Sequence, residues 1–187
     1  MKVIILEGPD NTGKNSLIHS IIDNNNVVKY IHCGKPSSNE PFKENERLFF
    51  KYADDIIRDN QLNNCAAVVF NRYYPGEYVY GQLYRNGDID IIKDMISGIE
   101  SLLVSKIGWE NIFYIQLNST SADLLKHNED GHSLSMGVLS QIAREIGLFE
   151  EVFQFSKLKK HQIYVNEGDA FRSQESILNE FHQFIQS

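Results

Sequence analysis

The sequence predicts an α/β fold, a five-stranded parallel sheet with helices on both faces. Three observations carry this. Five short runs of strand length, ending near residues 6, 31, 70, 117 and 165, alternate with stretches whose apolar residues recur at helical spacing. The run over residues 65–70 (CAAVVF) is unbroken and apolar, the pattern of an interior strand covered on both faces. The first run leads into Gly8-Pro-Asp-Asn-Thr-Gly-Lys14, a G-x4-G-K turn that opens at once into an apolar-periodic helix, which is the setting of a P-loop.

Taken in order, residues 3–6 form the first strand, and Leu17, Ile18, Ile21 and Ile22 share one stripe of the first helix, which Asn24-Asn25-Asn26 stops. Residues 27–31 are a second strand, and residues 33–39 a loop. A second helix runs over residues 42–58, with Leu48, Phe49, Tyr52, Ala53 and Ile56 in register. The third strand ends at Asn71-Arg72. A loop with Pro75-Gly76 leads to a short helix through Tyr78, Val79 and Tyr80, and Ile92, Met95, Ile96, Ile99, Leu102 and Leu103 mark a longer one. Residues 112–117 are a fourth strand. Residues 124–127, a polar stretch over 128–135 and a helix carrying Val138, Ile142, Ile146, Phe149, Val152 and Phe153 come next. A fifth strand over residues 162–165 and a helix with Ile177, Leu178, Phe181, Phe184 and Ile185 complete the pattern. Ligands of such sheets sit at the carboxyl ends of the strands, so residues 8–14, Asn71-Arg72 and Asn118 fall along one edge.

With 187 residues, one domain suffices by length. The net charge of −7 argues against a nucleic-acid surface, which needs a broad basic face, so any anionic partner must be held locally. Cys33 and Cys65 form no C-x-x-C and no zinc-like spacing, as expected for a reducing compartment. No apolar run approaches membrane-spanning length, so no membrane partner is expected. The basic residues Lys157, Lys159, Lys160 and His161 read as a solvated turn after a helix.

The P-loop turns backbone N–H groups inward, and Lys14 adds a point charge, a concavity suited to phosphate oxygens. Asn15 stands where Ser or Thr ordinarily offers magnesium a hydroxyl. Arg72 follows a buried strand, where its planar fork matches two phosphate oxygens; the plainer reading is an ion pair with Glu77. Glu7 is either a functional acid beside the loop or a strand-end carboxylate capping backbone.

The stretches Leu6-Glu-Gly-Pro-Asp-Asn-Thr-Gly-Lys14 and Asn71-Arg-Tyr-Tyr-Pro-Gly-Glu-Tyr-Val-Tyr80, with the order and spacing of the later elements, resemble the thymidylate kinase family of P-loop nucleoside-monophosphate kinases, especially its short phage-type members. The resemblance implies a P-loop kinase fold over residues 1–187, with a short lid around residues 126–136. It implies transfer of the ATP γ-phosphoryl group to dTMP or a related deoxynucleotide with Mg2+, in the cytoplasm (the host's, if phage-encoded). By the same resemblance Gly8, Asn11, Thr12, Gly13, Lys14, Asn15 and Ser16 hold the donor. Asp10 meets the acceptor sugar, unless Pro-Asp-Asn is simply turn chemistry. Arg72, Tyr73, Tyr80 and an aromatic of the second helix, Tyr52 or Phe49, receive the acceptor, and Asn15 and Asn71 lie at the magnesium positions. The face of Met95, Ile99 and Leu103 either pairs two subunits into a homodimer, as in the family, or is core.

The sequence also departs from the family pattern. Asn71 replaces an aspartate, and Gly76, Val79 and Gly81 replace Ser, Ala and Gln in the acceptor pocket. The P-loop and residues 126–136 offer Asn11, Lys126, His127 and His132 but no arginine, while Arg85 and Arg144 lie on helices that could reach inward or face solvent. These departures keep two further readings open. One is a nucleotide-binding protein with little turnover, and the other is a kinase for a modified nucleotide or a nucleoside.

Overall fold

The computed structural model describes residues 1–22, 28–37, 40–128, 131 and 133–187. Its sheet is all parallel. β1 (Lys2–Glu7) is the middle strand, flanked by β3 (Ala67–Asn71) and β4 (Ile112–Asn118), with β2 (Val28–His32) and β5 (Lys159–Tyr164) at the edges, in the order β2-β3-β1-β4-β5. The helices are α1 (Lys14–Ile22), α2 (Pro41–Leu62), α3 (Pro75–Tyr84), α4 (Ile89–Ile107), α5 (Ala122–His127), α6 (Leu139–Phe155) and α7 (Gln174–Gln186).

The strand period of two sorts the core into two layers. Val3 and Ile5 of β1, with Val68 and Phe70 of β3, face α2, α3, α4 and α6. Ile4 and Leu6, with Val69 and Ile115, face α1 and α7. Both faces of β1 are therefore covered, which is why this strand reads as continuous apolar sequence. Met95, Ile99 and Leu103 of α4 are buried within the first layer, so of the two readings of that face the structure gives core.

Several element boundaries differ from the sequence expectation, and a short hairpin is new. α2 runs on to Leu62 through polar residues that carry no apolar stripe, and ends where Asn63 turns left-handed at φ 53°. β3 begins at Ala67 rather than Cys65, and α6 begins at Leu139, with Val138 at its cap. β5 begins at Lys159, so Lys159, Lys160 and His161 belong to a strand rather than to a solvated turn. The Lys159 ammonium lies 5.1 Å from the centre of the Phe113 ring, and Lys160 Nζ donates to the carbonyls of Phe153 and Ser156 at 2.6 Å, closing the carboxyl end of α6. β6 (Asn166–Glu167) and β7 (Ala170–Phe171) form a two-stranded antiparallel hairpin too short to leave a pattern in the sequence. Asn24-Asn25-Asn26 and Val27 lie outside the described residues. Among the described residues no helix is long and apolar enough to cross a membrane.

Candidate active site

The loop between β1 and α1 is shaped by backbone first. Gly8 has φ +138°, and a Cβ there would stand 1.9 Å from the carbonyl oxygen of Leu117, so only glycine lets the loop lie against β4. Asn11 (φ 65°) and Gly13 (φ 78°) supply two further left-handed residues, and Thr12 Oγ1 donates to the carbonyl of Pro9 at 2.9 Å. Lys14 is the first residue of α1 and is buried. Its ammonium donates to the carbonyls of Gly8 at 2.9 Å and Pro9 at 2.5 Å. Burial, with the charge of Arg72 nearby, pulls its pKa down to about 7. The lysine thus folds back over its own loop.

The opposite wall is tied to this loop through Glu7, which is fully buried. Its Oε1 accepts the backbone N–H of Tyr73 at 2.6 Å and of Gly76 at 3.1 Å, which fixes the turn from β3 into α3. Of the two readings of Glu7, the structure shows this backbone capping. Burial raises its pKa to about 7 against the opposing charge of Arg72. Gly76 is kept small by this contact, since a Cβ would lie 3.2 Å from Glu7 Oε2.

Arg72 sits in the left-handed region at φ 66°, with its N–H donating to the carbonyl of Leu6 at 3.0 Å. Its guanidinium donates to the Tyr80 hydroxyl at 2.7 Å and forms an ion pair with Asp10. The plainer sequence reading, an Arg72–Glu77 pair, is not what forms. Glu77 pairs with Arg85 and accepts the Asn45 side-chain N–H at 2.6 Å.

A cavity of about 530 Å³ lies between these walls. Asp10, Asn11, Gly13, Lys14, Asn15 and Ser16 line it from the loop side. Asn71, Arg72, Tyr73 and Tyr80 line it from the β3–α3 side. Gly8 and Thr12 build the loop from behind. Tyr52 does not reach the cavity: its ring packs on Phe70 and Tyr73, and Phe49, on the same helix, lines the wall instead. Tyr73 is a buried floor, stacked on Phe70 at 4.2 Å, with its hydroxyl donating to the carbonyl of Phe49.

Asn15 and Asn71 do meet, but as partners of one another. Asn71 Nδ2 donates to Asn15 Oδ1 at 2.7 Å and to the Tyr30 hydroxyl at 3.2 Å. Magnesium favours carboxylate and water oxygens, so this pair of neutral amides does not fit a protein-held magnesium site. No group of three or more His, Cys, Asp or Glu side chains among the described residues is placed to hold a metal either.

On the lid side, Asn11 Nδ2 donates to the carbonyl of Leu125 at 3.4 Å, and Asn128, Ser133 and Leu134 line the cavity. Lys126 and His127 are exposed, His132 lies outside the described residues, and Arg144 is exposed on α6. Arg85, by contrast, lines the cavity with its side chain 12% exposed. Asn45, Glu77 and Arg85 form a polar cluster; the sequence reading named Arg85 as able to reach inward and Glu77 only as a partner for Arg72, did not name Asn45, and did not bring the three together. The available signal was spacing: Asn45 lies four residues before Phe49 on the buried face of α2, and Glu77 and Gly81 of α3 and Arg85 at its carboxyl cap recur every fourth residue.

No protein-family model matches the chain, and no curated protein matches it by sequence. Solved structures similar to it include the YorR protein of Bacillus subtilis in complex with phosphorylated GDP, with a TM-score of 0.70 and 16% identity over 99% of this chain and 96% of that one. Polyphosphate kinase 2 of Arthrobacter aurescens TC1 gives a TM-score of 0.59 at 15% identity, covering 86% of this chain and 60% of that one. Deoxyadenosine kinase of M. mycoides with bound dATP gives 0.54 at 13%, over 100% of both chains. Likeness at these identities establishes the fold: an α/β P-loop kinase fold with an all-parallel sheet.

Proposed function

We propose that this chain is a nucleotide kinase that transfers the terminal phosphoryl group of ATP to a deoxynucleoside monophosphate, dTMP or a related deoxynucleotide. The observation that carries this reading is the placement of Lys14 and Arg72 in the walls of one cavity, each on a backbone built to hold it. The fold's similarity to nucleotide-handling kinases supports it.

In this reading the loop amides around Gly8 to Lys14 hold the donor phosphates, and the Lys14 ammonium turns from the loop carbonyls to the phosphate oxygens. Arg72 presents its fork to the acceptor phosphate, which displaces Asp10 and frees that carboxylate for the sugar. The acceptor phosphate is already a nucleophile, so no general base is needed and catalysis is chiefly positioning. Magnesium carried by the triphosphate would neutralise phosphate charge, since the Asn15–Asn71 amide pair does not fit a protein-held site. Cys33 and Cys65 are free thiols, which supports a reducing, cytoplasmic setting.

The test is a coupled assay of ADP release with ATP and magnesium across the deoxynucleoside monophosphates and the corresponding nucleosides. Acceptor-dependent ADP that is lost in Lys14→Ala is expected; none above that control would sink the kinase reading. A nucleotide-binding protein without turnover is the second reading, favoured by the mutual Asn15–Asn71 bond and by the absence of arginine from residues 126–136. Calorimetric nucleotide binding without ADP release would establish it.

A further inference from the structure

We infer that this chain grips a nucleoside triphosphate without a divalent cation, because a hydrogen-bonded bridge of Asn15, Asn71 and Tyr30 closes the place where the family resemblance puts magnesium. The inference rests on the nucleotide-kinase reading and narrows the form in which its donor is bound.

Asn71 ends β3 and is 3% exposed, Asn15 is the second residue of α1, and Tyr30 stands on the edge strand β2. Asn71 Nδ2 directs its bonds to Asn15 Oδ1 at 2.7 Å and to the Tyr30 hydroxyl at 3.2 Å, so the amide ties a helix and an edge strand to its own strand. The oxygen that Asn15 could offer a cation therefore accepts an N–H, and what faces it is the positive end of an amide dipole. A cation entering there would have to break this bridge, and would gain neutral amide oxygens where magnesium favours carboxylate and water.

The neighbouring side chains do not make up the set. Ser16 also lines the cavity, but it lies about 100° further round α1 than Asn15. His32, opposite Asn71 in the β2–β3 register, lines the cavity with a nitrogen donor, which suits softer ions. The nearby carboxylates are engaged elsewhere: Asp10 with Arg72, Glu77 with Arg85, and Glu7 with the amides of Tyr73 and Gly76.

What does face the phosphates attracts negative charge directly. The loop amides, the amino end of α1 and the Lys14 ammonium are all donors, and Lys14 is held over the loop by carbonyls alone. A triphosphate without metal carries more negative charge than its magnesium complex, and these donors meet that charge. No side chain at the bridge rewards the complex over the free anion.

The test is calorimetric titration of the chain with ATP, once with excess magnesium and once with EDTA. The two dissociation constants should agree within about threefold, against the roughly tenfold or more expected where protein groups hold or support the metal. The double variant Asn15→Ser with Asn71→Asp, which supplies a hydroxyl and a carboxylate, should bind ATP roughly tenfold more tightly with magnesium than with EDTA. A wild-type chain that magnesium tightens by more than threefold overturns the inference, and this arm decides the matter even if the variant fails to fold. A folded double variant as indifferent to magnesium as the wild type overturns it as well, since the bridge would then not be the cause. ATP bound alike under both conditions, without acceptor-dependent ADP release, supports the inference and sinks the kinase reading. ADP release together with magnesium-dependent ATP binding does the reverse, and no ATP binding under either condition sinks both.

Discussion

Asp10 and Arg72, 62 residues apart in the chain, are joined by an ion pair within the cavity wall, with side chains 30% and 18% exposed. The guanidinium is thereby oriented before any ligand arrives, and Tyr80 lies beneath it, with its ring centre 4.8 Å from the Arg72 Cζ. In the proposed reading an acceptor phosphate would exchange one anion for another on a fork already aimed.

Arg72→Ala should therefore raise the acceptor's KM by roughly ten- to a hundredfold, the range expected for loss of a charge-assisted hydrogen bond. ATP affinity should stay within about threefold, a small change on the free-energy scale of such a bond. Steady-state kinetics with each substrate varied in turn provides the check. An equal loss for both substrates contradicts the assignment of Arg72 to the acceptor.

Lys14 is buried with its pKa drawn down to about 7, so above neutral pH much of it is uncharged before ligand arrives. A donor phosphate restores the advantage of the charged form and raises that pKa. Nucleotide binding at pH 8 should accordingly take up a fraction of a proton. Calorimetric titration in buffers of different ionisation enthalpy measures this, and proton release would contradict the arrangement.

Glu7 is raised in the folded chain to about 7 from an ordinary value near 4.5. Between those values the folded state binds more protons than the unfolded one, so its contribution to stability is fully present below about pH 4.5 and is lost as pH rises through about 7. Glu7→Gln keeps an oxygen for the Tyr73 and Gly76 amides. It should remove on the order of 2–3 kcal/mol of the stability difference between low and neutral pH. Glu145, also raised to about 7 by burial, leaves part of the slope in place. Urea unfolding at pH 5 and pH 7.5 gives the comparison, and an unchanged slope would clear Glu7 of this role.

Asn71→Asp puts a carboxylate beside Asn15 and the Tyr30 hydroxyl, where the wild type has neutral amides. Turnover should then reach half-maximum at a lower magnesium concentration, by several-fold on the scale of one added hard ligand. A magnesium titration that superimposes on the wild type would remove the metal argument from this pair.

The fold was legible because burial on both faces leaves unbroken apolar runs, and because Gly8, Gly13 and Lys14 occur at a spacing that few other structures use. β5 was harder to delimit. Lys159 and Lys160 look solvated in sequence, whereas their ammonium groups lie over the Phe113 and Phe153 rings and that of Lys160 also closes a helix end. Phe49 and Tyr52 lie three residues apart on one face of α2, and sequence spacing alone does not say which of the two meets the cavity. Asn45, Glu77 and Arg85 carry no local signature as a group. Their relation exists only once α2 and α3 are packed together.

The bonds from Tyr73 and Gly76 to Glu7 also make those two backbone amides observers of a single proton. An N–H that donates to a carboxylate resonates further downfield than one that donates to the neutral acid. Their chemical shifts, followed through neutral pH, would report the charge on Glu7 from within the wall that carries Arg72, and would do so without a substrate, an assay or a mutation.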